Sequence, residues 1–389
     1  MLDLRHWCWL GLYPGVSNVT ELTVGDVTQW MNAQVPECFA DEWDNVGLQV
    51  GSKRNPLRGI AVALEASAAV LDRLPASVNL LITHHPLIFE PLRRLGDHPV
   101  ETRVRHLIRE EISLYCAHTN LDRMDWGPSG QWAKHLALQG IRPLEAWSDL
   151  AKVVVFVPRT HVHSVRQAMG DAGAGELGEY SHCAFFLEGT GSFLPGANAN
   201  PFIGTPGRVE EVAEARLESV VPRSLLSTVL NAIQQAHPYE EVAYDVYPLD
   251  NSRNDVGMGR IGDLPESVSV HDLLGVLKQR VPSVQPIRHT GDGKGRVQRV
   301  AVCGGRGEKL GSVALAMGAD VLITGDVTYH VAQDLADRGL AVVDLGHVQS
   351  ERLIVRPLAA QLDHAFGGYV PVSSLDQCKD PWGYCGLPE

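Results

Sequence analysis

Three groups of residues in this chain combine types and spacings that could do chemistry. His84 and His85 are adjacent, directly after the apolar run Asn79-Leu-Leu-Ile-Thr83. His118 stands four positions before Asp122, after Ile112-Ser-Leu-Tyr-Cys-Ala117. His347 stands four before Glu351, after Leu340-Ala-Val-Val-Asp344. Residues four apart on a helix project from one face, one turn apart, so a helix starting at His347 aims both side chains at one centre. On a regular strand His84 and His85 would face opposite ways. At a strand end, with Pro86 breaking the pattern, both can turn to one centre or serve two neighbouring ions. Three of these histidines with the two carboxylates suit a dinuclear zinc, iron or manganese site, in which a carboxylate bridges ions ~3.5–4 Å apart. Any one of these residues alone reads more simply as a cap or turn residue. Their recurrence just after apolar runs is what favours a site.

Other motifs say less. Gly257-Met-Gly-Arg-Ile-Gly262 matches G-x-G-x-x-G, but a polar loop precedes it where a dinucleotide fingerprint needs a strand. Cys303-Gly-Gly-Arg-Gly307 falls between a strand and a helix, where its amides could receive a phosphate or simply form a tight turn. His237-Pro-Tyr-Glu-Glu241 reads as the end of a helix and the start of a strand. Glu42-Trp-Asp-Asn-Val-Gly47 reads as a packed turn, or as Asp44 and Asn45 reaching a substrate. The P-loop, nucleophile-elbow and H-E-x-x-H patterns do not occur.

The elements that must position these residues form two similar α/β units. In the first, apolar runs at 59–64, 78–83 and 112–117 alternate with helical segments at 66–74 and 101–111. In the second, runs at 297–302, 321–324 and 340–344 alternate with helices at 309–317 and 329–339. Short apolar runs between helices are what a sheet covered on both faces requires. Asn79-Leu-Leu-Ile-Thr-His-His and Asp320-Val-Leu-Ile-Thr-Gly-Asp correspond, and in open α/β sheets ligands bind beyond such strand ends. Between the units, residues 151–250 follow a β-α-β, β-α-β order, the ferredoxin-like arrangement. The expected organisation is thus 21–150 and 251–372 as one discontinuous domain, 151–250 as an inserted α+β domain, and 373–389 as a tail.

At 389 residues the chain exceeds a single core of ordinary size. Its net charge of −13 argues against a broad nucleic-acid surface, which is usually basic. Seven dispersed cysteines without C-x-x-C fit a reducing compartment. The apolar start breaks at Pro14 and carries Asp3, and no run of ~18 apolar residues follows. A cytoplasmic protein without a membrane span is expected.

Taken together, these residues resemble the Nif-three-like dinuclear-metal family, the GTP cyclohydrolase I type 2 homologs. The resemblance is carried by Glu42-Trp-Asp-Asn-Val-Gly-Leu, Thr83-His-His-Pro-Leu-Ile-Phe, Ala117-His-Thr-Asn-Leu-Asp, Gly325-Asp-Val-Thr-Tyr-His330 and Asp344-x-Gly-His-x-x-Ser-Glu351. The insert is similar to PII and CutA proteins through Gly173-Ala-Gly, Asn200-Pro-Phe-Ile-Gly and His237-Pro-Tyr-Glu-Glu-Val-Ala-Tyr-Asp. The resemblance implies two divalent metal ions per chain, held by His84, His85, Asp122, His347 and Glu351. It implies proton-transfer or supporting roles for His118 and His330, and a toroidal homohexamer. It also implies a hydrolase opening a purine imidazole ring or attacking a similar small substrate, with a triphosphate at Gly304–Gly307. A non-enzymatic metal-binding hexamer, acting as regulator, metal chaperone or scaffold, is the alternative.

Overall fold

In the computed structural model of the chain, residues 21–253, 255–280, 287–291, 293–376, 378 and 380–382 are described. The apolar leader, with Cys8, and Cys385 lie outside them. The chain divides into two compact units, one built from the chain up to Glu145 and from Asp255 onward, the other from Ala146–Asn254.

The first unit contains two sheets built on one plan. In one, the strands Ile60–Ala63, Leu80–Thr83 and Ser113–Cys116 lie side by side and parallel. Gly47–Val50 closes one edge antiparallel, and Val372–Leu375 joins the other edge parallel to Ile60–Ala63. In the second, Arg296–Val302, Val321–Thr324 and Ala341–Asp344 are the parallel trio, flanked antiparallel by Arg288–His289 and by Arg260–Ser269, with Gln139–Arg142 beyond the latter. The strands Ile60–Ala63, Leu80–Thr83, Ser113–Cys116 and Val321–Thr324 are buried at all four positions, which is why their sequence is continuously apolar and not alternating.

The correspondence between the halves extends to a polar detail. Asn79 Oδ1 accepts from the Arg58 amide at 2.7 Å, just before the neighbouring strand. Asp320 Oδ2 accepts from the Gln298 and Arg299 amides at 2.8 Å, at the matching place in the second sheet. Each side chain fixes the adjacent strand where the parallel pairing begins.

The chain end returns to the first sheet. The helix Val355–Phe366 packs Val355, Leu358, Ala359, Leu362 and Phe366 into a core shared with Ile60, Val62, Leu80, Ile82 and the N-terminal helix residues Val24, Val27 and Met31. Residues 373–375, read above as the start of a polar tail, are instead strand, because Ser373 and Ser374 sit at a sheet edge where two hydroxyls are tolerated. Cys378, also expected in that tail, is buried in the same core.

The second unit is a four-stranded antiparallel sheet in the order Tyr244–Pro248, Leu150–Pro158, Glu210–Pro222, Phe185–Phe193. The helices Val162–Asp171 and Leu226–Ala236 contribute Val162, Val165, Met169, Val229 and Ile233 to its core. Val153, Val155 and Val157 point into that core with the period of two that a one-sided sheet imposes. The β-α-β-β-α-β order expected from the sequence is present. Its second strand runs from Phe185 to Phe193.

Candidate metal centre

The cluster is assembled at the ends of the parallel strands. Leu80–Thr83 delivers His84 and His85. Ser113–Cys116 delivers His118, and Asp122 closes the one-turn helix Thr119–Asp122. From the second sheet, Ala341–Asp344 leads into the helix His347–Glu351, so the expected four-residue spacing is realised on a helix. The four imidazoles form a connected group: ring centroids are 5.2 Å apart for His84–His85, 5.3 Å for His84–His118 and 5.2 Å for His85–His347.

Glu351 is the hub. Its Oε2 lies 2.7 Å from His85 Nε2 and 3.2 Å from His347 Nε2, while Oε1 faces His84 Nε2 at 3.7 Å. Ligand atoms of His84, His85 and Glu351 fall within 4.8 Å of one another, and so do those of His84, His118 and Asp122. His84 donates from Nδ1 to the Ala117 carbonyl at 2.9 Å, which leaves Nε2 directed at the carboxylates. Both that Nε2 and Asp122 Oδ1 are buried without a hydrogen-bond partner. Stranding two polar atoms in this way costs about 1–3 kcal/mol each, and a cation between them would remove that cost. The donor set of imidazoles and carboxylates therefore fits one or more divalent ions.

The electrostatics of the metal-free cluster agree. Burial disfavours a charged His84, but the Asp122 and Glu351 carboxylates outweigh it and raise the ring to about 9. His347 is raised to about 9 by its hydrogen bond to Glu351, against its own burial. Burial pushes Glu351 up, but the His347 and His85 rings bonded to it, with the His84 ring nearby, prevail and hold it well below the ordinary range. Asp122 is raised, chiefly by burial. The site thus pulls in positive charge, as protons when no metal is there.

Two orienting carboxylates complete the arrangement. Asp44 Oδ1 accepts from His118 Nδ1 at 3.0 Å, and its other oxygen accepts from Thr119. Burial would raise Asp44, but the hydrogen bonds from His118 and Thr119 lower it to about 2. An ionised Asp44 keeps the proton on His118 Nδ1 and leaves Nε2 free to act. Asp326 Oδ2 pairs in the same way with His347 Nδ1 at 2.9 Å. Neither pairing was visible from spacing, because the partners lie 74 and 21 positions apart. The only signal was that both aspartates sit inside the quoted motifs. Asp44, which the sequence offers as a packed-turn residue or a substrate contact, is the partner of His118.

The glycine turn at Gly304–Gly307 is not the anion cradle considered above. Its Gly304, Gly305 and Gly307 amides donate to Ser129, Ser350 and Thr324 hydroxyls at 3.1, 2.9 and 2.8 Å. Its glycines serve close packing instead. Gly305 has φ +62, and a Cβ there would meet Glu351 Oε1 at 2.3 Å. Gly257–Gly262 is likewise no nucleotide fingerprint, since it leads into the strand Arg260–Ser269 and not a helix. Arg260 is buried and donates to the Gly257, Gly259 and Arg123 carbonyls, fixing the backbone next to Asp122. His330 is exposed on the helix Tyr329–Asp337, its ring against Tyr329, and belongs to neither ligand grouping.

Comparison with known proteins follows the same outline. The family model Duf34/NIF3 (NGG1p interacting factor 3) matches residues 22–381. The chain is 40% identical over 349 residues to the "GTP cyclohydrolase 1 type 2 homolog" of Bacillus subtilis, covering 88% of this chain and 93% of that one. It is 37% identical over 365 residues to the protein of the same name from Mycobacterium leprae, covering 92% and 94%. Among solved structures, a Bacillus cereus protein related to NIF3 superposes with a TM-score of 0.78 at 37% identity, covering 94% of this chain and all of that one. The matched stretch contains both sheets and every residue of the cluster, and the chain belongs to the Duf34/NIF3 family.

Proposed function

We propose that this chain is a dinuclear-metal hydrolase acting on a nucleotide or a similar small substrate, as the name GTP cyclohydrolase 1 type 2 homolog of its relatives suggests. The observation that carries the reading is the convergence of His84, His85, Asp122, His347 and Glu351, with His84 Nε2 and Asp122 Oδ1 buried and unpartnered. Two divalent ions, zinc, iron or manganese, would supply Lewis acidity and make water acidic enough to be a nucleophile near neutral pH. His85 and His347 would hold one ion and His84 and Asp122 the other, with the two Glu351 oxygens facing the two sets. His118, kept in one tautomer by Asp44, would take or give a proton at Nε2. His330, exposed, is the second proton-transfer candidate.

The remaining parts of the reading rest on family likeness: a toroidal homohexamer, a cytoplasmic location, and an insert of the PII/CutA kind, consistent with its strand order. Among the described residues no helix is long and apolar enough to cross a membrane.

The test is turnover by metal-loaded protein on GTP and a hydrolase panel, alongside metal analysis. Activity that disappears in His85→Ala supports the proposal. Two ions per chain with no turnover on any substrate would replace it with a metal-holding scaffold.

A further inference from the structure

Beside the cluster, two large aromatic side chains are left in solvent. Trp43 is 58% exposed and Phe89 53% exposed. Isolated exposed aromatics are ordinary, but these two are neighbours, with ring centroids 5.7 Å apart and planes tilted by 47°. Trp43 also stands edge-on to His118, 6.1 Å between centroids, and His118 in turn touches His84 and His85.

The segments that carry them are pinned by polar side chains. Gln49 Oε1 accepts from the Leu87 and Ile88 amides at 3.0 and 3.1 Å. Asn45 Nδ2 and Gln49 Nε2 both donate to the Ile88 carbonyl, at 2.6 and 3.1 Å. The Asp44 side chain accepts from the Asn45 amide at 2.8 Å as well as from His118 and Thr119. The backbone next to each ring is therefore held before any ligand arrives, and aromatic surface mounted on held backbone binds at less ordering cost. Among the described residues, neither ring belongs to a buried cluster of the first unit.

We propose that Trp43 and Phe89 form a stacking platform for a flat heteroaromatic ring, of the nucleobase kind, on the substrate that the metal cluster acts on. The inference deepens the hydrolase reading above and rests on it for the words "acts on", while the binding itself does not require turnover. A ring lying on this platform is next to His118, the group positioned to move a proton. Every nucleobase has a π-face, so stacking supplies affinity without selecting one base. Substrates without such a ring would gain nothing from the pair.

The experiment is calorimetric titration of the metal-loaded full chain with guanosine, GTP, adenosine and inorganic triphosphate, with metal content and solution mass measured on each protein. Trp43→Ala is expected to weaken guanosine and GTP roughly 5- to 150-fold, the range of a lost stacking contact. Trp43→Phe should recover most of that loss, and Phe89→Ala should lose a smaller share. Triphosphate binding and metal content should not change in any variant. The proposal is overturned if none of the ring-bearing probes binds the parent. It is equally overturned if Trp43→Ala binds them as the parent does, or if its weaker binding is accompanied by metal loss or altered solution mass, which would make the pair structural or an interface between copies. Ring binding that depends on Trp43 in a protein that hydrolyses nothing would leave the platform standing and remove the hydrolase. Hydrolysis confined to ring-free substrates would do the reverse.

Discussion

At the scale of the residue, Glu351 does what no neighbour can. Two divalent ions ~4 Å apart repel by four times the unit-pair energy, ~16 kcal/mol at an effective dielectric of 20, and Asp122 alone is a weak screen. On the dinuclear proposal, Glu351→Gln keeps the shape and removes the charge, so metal content measured by native mass spectrometry should fall from two ions per chain toward one or none. Gln349→Ala is the companion variant. Gln349 is buried and accepts from Arg352 at 3.3 Å, so its loss should lower stability by about 1 kcal/mol with both ions kept. Asp44→Asn tests the orientation of His118: turnover should drop about 10–100-fold, the usual effect of removing an orienting partner, with metal retained. The pH dependence follows from the raised imidazoles. His84 and His347 sit at about 9 in the metal-free chain, above the ordinary 6.5, so both are protonated at pH 7. Metal loading at that pH should release protons from these rings, read by titration in buffers of different ionisation heat, and affinity should weaken as pH falls. The same shifts mean that the metal-free protein draws stability from those protons below pH 6.5 and loses it as pH rises through about 9. A chelated sample should therefore melt at a lower temperature at pH 9.5 than at 7.

At the scale of the element, the strand Leu80–Thr83 and its counterpart Val321–Thr324 were legible because burial on both faces leaves an uninterrupted apolar run. The helix His347–Glu351 was legible because a four-residue spacing has one helical meaning. Arg260–Ser269 was not: Arg260, Gly262, Asp263 and Pro265 break any alternation, and the strand shifts register between Asp263 and Val268 to accommodate them. Arg260 can be buried there because three carbonyls receive its guanidinium and Asp125 and Asp255 lie close enough to favour its charge. The Asp44–His118 and Asp326–His347 pairs were hidden for a related reason, since orientation by a residue from another element leaves no local pattern. The turn after Arg296–Val302 gives the element-scale prediction. Gly305 and Gly140 both have φ near +60, yet an added Cβ meets Glu351 Oε1 at 2.3 Å at the first and nothing within 4 Å at the second. Gly140→Ala should cost about 1–2 kcal/mol from backbone strain alone and keep its metal. Gly305→Ala should lose metal as well, because Glu351 must move.

At the scale of the molecule, the second unit enters and leaves through neighbouring strands. Leu249 donates from its amide to the Leu150 carbonyl at 3.0 Å, Arg253 to the Trp147 carbonyl at 2.8 Å, and Ser148 Oγ reaches the Leu249 and Asn251 carbonyls at 3.2 Å. Chain ends held this close can be rejoined by a short linker. A protein running from Glu145 directly to Asp255 through a few glycines and serines should fold and bind metal at the parent's stoichiometry, because all five candidate ligands come from the other unit. Metal loss in a folded deletion protein would show that the insert helps to build the site.

The pairing of His85 with Glu351 joins positions 266 residues apart. Synthesis at roughly 5–20 residues per second puts about a quarter of a minute to a minute between the emergence of the two. During that interval the nascent chain carries His84, His85 and Asp122 without Glu351, the carboxylate that faces three of the imidazoles. The cluster is thereby completed only after the second sheet has been made, and its closure marks that the two halves of the same chain have found each other.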